Sequence, residues 1–376
     1  MSSDKIAMCD LKGQYEKIKH EVDAAIHNVL NTTAFVKGQD VGGFQDELAQ
    51  YIGVKHVIGC ANGTDALQIA LMALGLKPGD EVITPDFTFI ATVEVVALLG
   101  LTPVLVDVRP DTYTLDPQQL ERAISPRTKA IIPVHLFGQC ADVDEIMRIA
   151  NKHGIPVVED NAQALGARYT FANGPSRMAG TMGRVGTTSF FPSKNLGCYG
   201  DGGAIFTDDD ALADEIRAIA NHGMRVRYHH DRIGVNSRLD TMQAAILRVK
   251  LKHLDAYNQA RIAAADYYDS RFAQCPHLNV PQRNPQSTHI FHQYTLTLKD
   301  VDRELLISHL ASFGIPSMVY YPIPLHNQKA FAPYAQNNQA FPVSTELAQT
   351  VLSLPMHTEL TQETLQFIAD KLLAFF

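Results

Sequence analysis

The sequence lacks the features of a disulfide scaffold, a membrane protein or a nucleic-acid-binding protein. Its five cysteines are far apart and form no CxxC pair, which argues against a disulfide framework or a zinc site. No window approaches the roughly 18 uncharged apolar residues of a membrane helix, and Met1–Lys5 is not a cationic segment leading into a long apolar one. The net charge of −8 argues against binding to a phosphate backbone. We therefore expect a cytoplasmic protein that binds neither membrane nor nucleic acid.

Two common enzyme signatures are also missing. No GxSxG stretch is present, so an α/β-hydrolase would have no nucleophile. The glycines of Gly197–Gly203 precede a predicted strand, whereas a dinucleotide-binding loop opens a helix, which weakens the alternative of a nicotinamide-dependent oxidoreductase. The histidines His222, His229 and His230 have no acidic residue at ligand spacing, so we predict no metal site.

After Gly53, strand-like runs alternate with helical patterns. Several of the strand-like runs are almost continuously apolar, which is typical of strands covered on both faces. The alternation predicts an α/β domain with a mostly parallel central sheet. The predicted strands are Val57–Cys60, Glu81–Thr84, Thr102–Val108, Ala130–Val134, Pro156–Glu159, Thr187–Phe191 and Ala204–Thr207. The predicted helices are Ala66–Leu74, Ala91–Leu99, Pro117–Ala123, Val143–His153 and Asp210–Asn221.

The pattern changes near Asp240. A single long helix over Thr241–Ala264 is predicted to join two domains, because no Gly/Ser-rich linker interrupts it. A strand over His292–Leu298 and helices over Asp302–Phe313 and Thr361–Phe376 follow. We therefore predict a large α/β domain over residues 1–245 and a smaller α+β domain over residues 246–376.

Lys194 and Asp160 are the candidate catalytic residues. Lys194 lies in the turn SFFPSKNLGCYGDGGA, among aromatic, small and hydroxylated neighbours, and Asp160 ends an apolar strand. Ligands of open α/β sheets bind beyond the carboxyl ends of strands. An amine and a buried carboxylate there can hold pyridoxal phosphate by its aldehyde and its ring nitrogen. The alternative for Asp160 is a cap of the next helix, and Glu159, which faces the other side of the strand, is predicted to be structural.

The small-residue turn Gly59–Ala66 lies between a predicted strand and a predicted helix. Free backbone N–H groups and the helix dipole make such a turn an anion site. We expect the cofactor's phosphate there, bound by backbone or hydroxyl donors of Gly63, Thr64 and Asp65, with the hydroxyl of Ser189 as a further donor. The alternative is an ordinary turn, since Asn-Gly is a common turn signal.

Two more residues are candidates on their position alone. Phe89 follows a predicted strand and could stack on a pyridine ring, although a lone phenylalanine is usually part of a core. Arg238, at the start of the long predicted helix, could form a forked pair with a carboxylate or phosphate, or lie exposed to solvent.

Four segments together resemble the pyridoxal-phosphate-dependent nucleotide-sugar aminotransferases of the DegT/StrS type. They are EDNAQALGA with Asp160, the Lys194 turn, GTDA at Gly63–Ala66 and GVNSRLD at Gly234–Asp240, and the resemblance covers nearly the whole chain. The stretches RYHH and YPIPL are similar to the members that aminate UDP-2-acetamido-2-deoxy-3-oxo-glucuronate for surface-polysaccharide synthesis.

This resemblance implies a fold type I transferase and a homodimer with shared active sites. Lys194 would hold the cofactor covalently, Asp160 would pair with the ring nitrogen, Gln163 would support the ring face or hydroxyl, and Phe89 would stack. Glutamate would supply the amino group, and the cofactor would cycle between its pyridoxal and pyridoxamine forms. The acceptor would be the 3-keto group of a UDP-linked N-acetylated hexuronate, or alternatively the 3- or 4-keto group of a neutral deoxy sugar nucleotide.

The remaining implied roles concern the partner subunit and the sugar. Asn236 of one subunit would reach the phosphate in the other, and Arg238 would meet a carboxylate of the sugar or the amino donor. Tyr320 and Tyr321 are expected to contact the sugar, with Tyr320 standing where relatives often carry histidine. The segment Tyr169–Val185 is predicted to be a solvent-exposed loop, and the alternative is that its Arg177 and Arg184 contact the nucleotide.

Overall fold

The computed structural model describes residues 6–334 and 340–376, so the segment Met1–Lys5 discussed above lies outside the described residues. The strands, numbered in chain order, are β1 (His56–Cys60), β2 (Glu81–Pro85), β3 (Thr102–Val106), β4 (Thr128–Ile131), β5 (Val158–Asp160), β6 (Arg168–Thr170), β7 (Ser176–Met178), β8 (Val185–Ser189), β9 (Gly203–Thr207), β10 (Met224–Val226), β11 (His229–His230), β12 (Leu278–Asn279), β13 (Tyr294–Leu298) and β14 (Val351–Leu354). The α-helices are α1 (Leu11–Thr32), α2 (Gln39–Ile52), α3 (Gly63–Ala73), α4 (Ala91–Leu98), α5 (Pro117–Ala123), α6 (Val143–His153), α7 (Asp210–Ile219), α8 (Thr241–Leu251), α9 (Leu254–Phe272), α10 (Arg303–Ser312), α11 (Pro342–Thr350) and α12 (Gln362–Leu373).

The large domain is built on a mostly parallel sheet, as predicted. Strands β3, β2 and β4 pair in parallel, and so do β5 and β8, while β9 runs antiparallel to both β8 and β1. Parallel bridges from Ile131 to Val157 and from Val134 to Asp160 join the two groups of strands. The carboxyl ends of β2, β3, β4, β5 and β8 therefore lie along one edge, where ligands bind in such sheets.

Burial explains why the strands read as apolar runs. All five residues of β2 are buried, and β9 is buried along its whole length, because helices cover both faces of the sheet. Val82 and Ile205 lie in one core with α3 and α7, whereas Ile83 packs with Ile146 of α6 on the other face. Burying one such side chain stabilises the fold by about 1.5–3 kcal/mol.

Two amino-terminal helices, α1 and α2, were not among the predicted elements. Helix α1 begins at a cap in which Asp10 accepts a hydrogen bond from the Gly13 amide over 2.8 Å. Helix α2 buries Phe44, Leu48 and Ile52, one residue per turn, against the large-domain core. That spacing of four is the signal that predicts this amphipathic helix.

The prediction of one long helix over Thr241–Ala264 is wrong. The chain forms α8 and α9 instead. Between them the His253 amide donates to the carbonyl of Lys250, three residues earlier, which is the spacing of a 3-10 turn rather than of an α-helix. The two helices pack on different partners: Leu247 of α8 lies in the large-domain core, and Tyr268 of α9 lies in the small-domain core. The predicted boundary at residues 245/246 falls inside α8.

The carboxyl-terminal part forms a smaller α+β unit. Strands β12, β13 and β14 make an antiparallel sheet, which α9, α10 and α12 cover. Tyr268, Phe272 and Tyr294 form an aromatic cluster at its centre, with the Tyr268 and Tyr294 ring centroids 4.9 Å apart. None of the described helices is long and apolar enough to cross a membrane.

Candidate active site

Asp160 ends β5 with its side chain almost fully buried, 5 % exposed. Its Oδ2 accepts a hydrogen bond from the Thr92 hydroxyl over 2.8 Å, and its Oδ1 accepts one from the Ala162 amide over 3.1 Å. The alternative that Asp160 caps the next helix is wrong, because β5 is followed by turns and then by β6, and the oxygen bound to Ala162 closes a turn instead. Each carboxylate oxygen keeps a further lone pair with which to accept a proton donor.

Lys194 lies in the turn after β8, near Asp160. Its amide donates to the carbonyl of Phe191 over 2.8 Å, and the next residue, Asn195, is held by Asn258 of α9 and by the carbonyl of Ile290. Burial lowers the pKa of Lys194 from 10.5 to about 8, although the charge of Asp160 opposes this shift. The amine is therefore more often neutral, and more nucleophilic, than an exposed lysine at neutral pH.

The predicted anion site forms at the start of α3. Asn62 caps this helix by accepting the Asp65 amide over 2.8 Å, so that amide is already engaged. Amides of a first helical turn have no partner within the helix, which leaves those of Gly63 and Thr64 available to an anion. A Cβ at Gly63 would lie 2.7 Å from the Cβ of Ser189, so this close approach requires glycine.

The aromatic rings of Phe89 and Tyr321 lie beside these groups. Phe89 is 54 % exposed, and its ring centroid lies 6.2 Å from that of Tyr321. The Gln163 amide nitrogen donates to the Tyr321 hydroxyl over 3.1 Å, while its oxygen accepts the Phe137 amide over 2.7 Å. Burial raises the pKa of Tyr321, so this hydroxyl stays protonated. The Gln163 amide is therefore held in one orientation beside Phe89.

Thr92 belongs to the same site and was missed by the sequence analysis. Besides its bond to Asp160, its hydroxyl donates to the carbonyl of Phe89 over 3.3 Å and lies 3.5 Å from the hydroxyl of Thr88. Thr88 and Thr92 are one helical turn apart directly after a predicted strand. Two hydroxyls at that spacing beside Phe89 are a weak signal that could have identified Thr92.

Tyr320 and Tyr321 lie side by side, with ring centroids 6.0 Å apart. Tyr321 packs on Phe87 as well as Phe89, at the site described above. Tyr320 is partly buried; burial raises its pKa, while a hydrogen bond with Gln293 opposes that shift. Of the two predicted sugar contacts, only Tyr321 is hydrogen-bonded to another predicted site residue.

Asn236 and Arg238 flank Ser237, whose hydroxyl accepts the Ala61 amide over 3.0 Å in the turn before α3. Asn236 is exposed and bridges to Asn221, and an Arg238 nitrogen lies 3.5 Å from the Asn221 side-chain oxygen. Arg238 lines a cavity of about 800 Å³ together with three further cations, Lys37, Arg217 and Arg225. The described residues that line this cavity include neither Lys194 nor Asp160.

Glu159 has the structural role that was predicted for it. Its buried carboxylate accepts hydrogen bonds from the ring of His135 and from the amides of Gly180, Met182 and Gly183. The other ring nitrogen of His135 accepts the Ala141 amide, so Nε2 carries the proton donated to Glu159. Asp160 is thereby held on the opposite face of β5.

This network corrects the prediction for Tyr169–Val185. The segment opens with the hairpin of β6 and β7, in which Tyr169 is fully buried, whereas Thr170, residues 172–177 and Arg184 are exposed. Residues 178–182 are buried around Glu159 rather than solvated. Arg177 bonds to the carbonyl of Thr181, and Arg184 forms an ion pair with Asp209 over 2.8 Å.

The residues present fit pyridoxal phosphate. Gly63 and Ser189 form a cradle that a Cβ would fill, Asp160 offers lone pairs to a ring nitrogen, and Lys194 offers an amine with a lowered pKa. Phe89 provides an open aromatic face beside them. A mostly parallel sheet that carries these groups at its carboxyl edge defines a fold type I pyridoxal-phosphate-dependent transferase.

Comparisons with known proteins identify the family. The family described as the DegT/DnrJ/EryC1/StrS aminotransferases matches residues 16–373. The chain is 50 % identical to the UDP-2-acetamido-2-deoxy-3-oxo-D-glucuronate aminotransferase of Pseudomonas aeruginosa, covering 98 % of this chain and 99 % of that protein. It is 47 % identical to the UDP-N-acetyl-3-dehydro-alpha-D-glucosamine 3-aminotransferase of Acidithiobacillus ferrooxidans, covering 97 % and 96 %.

A solved structure agrees with this match. The crystal structure of NtdA from Bacillus subtilis, with bound pyridoxamine phosphate, is similar with a TM-score of 0.92 and 32 % identity, covering 100 % of this chain and 86 % of that one. The chain belongs to the DegT/DnrJ/EryC1/StrS aminotransferase family. It is a pyridoxal-phosphate-dependent aminotransferase, and the alternative of a nicotinamide-dependent oxidoreductase is wrong.

Proposed function

We propose that the protein transfers the amino group of glutamate to the 3-keto group of UDP-2-acetamido-2-deoxy-3-oxo-glucuronate. The observation that carries this proposal is the 50 % identity, over nearly the full length of both chains, to an enzyme named for that substrate. The relative at 47 % identity is named for a neutral 3-keto sugar. Both names therefore place the ketone at C3, but only the first names a sugar that carries a carboxylate.

The cofactor is assigned to the group of residues around Lys194. The amides of Gly63 and Thr64 and the hydroxyl of Ser189 would bind its phosphate, with Asp65 in the same turn and Asn236 reaching in from the partner subunit. Phe89 and Gln163 would lie against its ring. When bound, the cofactor supplies an electron sink that stabilises negative charge at the carbon losing its proton.

Lys194 and Asp160 would perform the proton chemistry. The Lys194 Nζ, with its pKa near 8, is suited to accept the proton of the donor's Cα and to return it elsewhere. Asp160 remains an acceptor, because Thr92 and Ala162 donate to it, and so it would hold a proton on the ring nitrogen. Lys194→Ala is expected to abolish turnover and the visible absorbance of the lysine-bound cofactor, and normal turnover in this variant would refute the role.

Arg238 would distinguish a uronate from a neutral sugar. Its guanidinium can pair with a carboxylate through two parallel bonds, whereas Arg217 and Arg225 of the same cavity already pair with Asp214 and Glu215. We expect the 3-keto uronate to be preferred over its neutral analogue by about tenfold or more in kcat/KM, as one charge-assisted pair supplies.

A panel of keto sugars tests this assignment. UDP- and dTDP-linked 3-keto and 4-keto sugars, neutral and acidic, are incubated with glutamate, and the products are weighed by mass spectrometry. Arg238→Met should reduce turnover of the uronate and leave the neutral 3-keto sugar largely unaffected. A wild-type preference for neutral sugars, or for a 4-keto group, would replace the uronate with the neutral alternative.

The active sites would be shared between two subunits. Asn236 is exposed, and Arg238 lines a cavity whose described lining residues do not include Lys194, so a second copy could receive both side chains at its own site. Mixing Lys194→Ala with Arg238→Ala subunits tests this arrangement, because each mixed dimer would contain one intact site. We expect about a quarter of wild-type activity after random exchange of subunits, whereas sites confined to one subunit would give no recovery.

The cytoplasm is the proposed compartment. The structure describes five free thiols, those of Cys9, Cys60, Cys140, Cys198 and Cys275. Burial raises the pKa of the Cys60, Cys140 and Cys198 thiols. Such thiols suit a reducing environment. Cell fractionation with an antibody against the protein would test this location.

A further inference from the structure

Two aspartates at the edge of the large-domain sheet bind segments from the carboxyl-terminal part of the chain. Asp86 directly follows β2, and Asp107 directly follows the neighbouring strand β3. Asp107 accepts the amides of Val343 and Ser344 over 2.9 Å each, at the start of α11. Each carboxylate therefore joins a strand end of the sheet to a backbone segment more than 200 residues later in the chain.

Asp86 makes the closer connection to the active site. Its side chain is fully buried, and its two oxygens accept the amide and the ring Nδ1 of His326, both over 2.7 Å. Its own carbonyl accepts the Leu325 amide over 3.1 Å, and its amide donates to Val106 of β3. The His326 ring is also stacked on Phe341 with centroids 4.7 Å apart.

The segment held by Asp86 begins only a few residues after Tyr321. Pro322, Ile323 and Pro324 separate Tyr321 from Leu325, and each proline has a fixed φ angle, so little flexibility lies between them. Fixing Leu325 and His326 on the sheet edge therefore restricts where the Tyr321 ring can lie.

Tyr321 in turn contacts the residues assigned to the cofactor and the sugar. Its hydroxyl accepts the Gln163 amide, and its ring lies against Phe87 and Phe89, the residues that immediately follow Asp86. Asp86 thus anchors both sides of this contact: through the chain it places Phe87 and Phe89, and through His326 it places Tyr321.

We propose that Asp86 and His326 form a clamp that positions Tyr321 at the active site and thereby sets the affinity for the keto sugar. The pair acts as a positioning element rather than a catalytic one, because it touches Tyr321 only through the chain. The claim about affinity for the keto sugar rests on the proposed function, whereas the claim that the pair positions Tyr321 does not.

Amide hydrogen exchange tests whether the Asp86–His326 pair orders the segment that carries Tyr321, and it requires no substrate. In cofactor-free protein, His326→Ala should speed amide exchange in the peptide of residues 321–328 and leave the peptide that contains Lys194 unchanged. His326→Asn, whose amide nitrogen can replace Nδ1, should restore slow exchange. His56→Asn is the matched control, because His56 Nε2 pairs with Asp210 over 2.7 Å at the amino end of β1, away from the site.

Steady-state kinetics measures the effect of the pair on the KM for the keto sugar. His326→Ala should raise the KM for the preferred keto sugar about tenfold, as the loss of a hydrogen bond to a charged group would, while His326→Asn and His56→Asn stay within about twofold. Wild-type protein is assayed with whichever keto sugar of the panel it aminates, so an error in the assigned sugar leaves this test intact. Asp86→Ala, if folded, should reproduce His326→Ala in both measurements.

Two results would overturn the clamp. Exchange in residues 321–328 that matches the His56→Asn control would show that His326 does not order this segment. Faster exchange with an unchanged KM would show that the pair serves only the fold.

Discussion

The Thr92 hydroxyl donates to Asp160 Oδ2 over 2.8 Å, and this bond crosses from the start of α4 to the end of β5. The same hydroxyl donates to the carbonyl of Phe89, so the residue assigned to stacking and the residue assigned to the ring nitrogen share one donor. The position of Asp160 relative to Phe89 therefore depends on a side chain three residues after Phe89.

Thr92→Val tests how much this hydroxyl contributes to kcat. Valine keeps the shape of threonine but cannot donate, so the ionised Asp160 loses a charge-assisted bond worth about 1.5 kcal/mol or more, which corresponds to about a tenfold lower kcat. Thr92→Ser keeps the hydroxyl and should retain most of the activity. Equal kcat values for the valine and serine variants would show that Asp160 does not depend on Thr92.

Cofactor capture should depend on pH through Lys194. Only the neutral amine attacks an aldehyde, and burial lowers its pKa to about 8, so the capture rate of cofactor-free protein should rise with pH and level off above that value. Stopped-flow absorbance measures the rate. In Asp160→Asn the midpoint should move lower, because the aspartate charge raises the pKa of Lys194. A midpoint near the ordinary 10.5 would mean that Lys194 is solvated.

Gly63→Ala should damage the phosphate cradle. The added methyl group would lie 2.7 Å from the Ser189 Cβ, so one strand or helix end must shift, and we expect the cofactor to bind at least about tenfold more weakly. Equilibrium titration of cofactor-free protein measures the affinity. An unchanged affinity in Gly63→Ala would place the phosphate elsewhere.

Glu159→Gln should destabilise the fold. All the hydrogen bonds to this carboxylate come from N–H donors, and a glutamine would turn its own NH2 group toward some of them, at a cost of about 3 kcal/mol. Thermal unfolding should show a clearly lower midpoint. Glu145→Gln, which removes an exposed ion pair with Arg148, is the control and should change stability by less than about 1 kcal/mol.

Several features could be predicted from local sequence because they depend on local physical rules. Apolar runs covered on both faces predicted the sheet, and the position of Asp160 after such a run predicted its place at the ligand edge. The turn before α3 was predicted as an anion site because small residues and a helix start are visible in the sequence. The exposed-loop prediction failed at Met178–Met182 because the partner that buries this stretch, Glu159, lies some twenty residues earlier in the chain.

The sequence by itself determined the chemistry of this protein: an amine at Lys194, a carboxylate at Asp160 and a small-residue turn at Gly63, in an order that resembles one aminotransferase family. Tertiary structure alone decided which groups support them. Thr92, His326 and Asn258 are 68, 240 and 63 residues from the partners they bind, Asp160, Asp86 and Asn195. Contacts over such separations depend on how sheet and helices pack, which no local pattern of residues records.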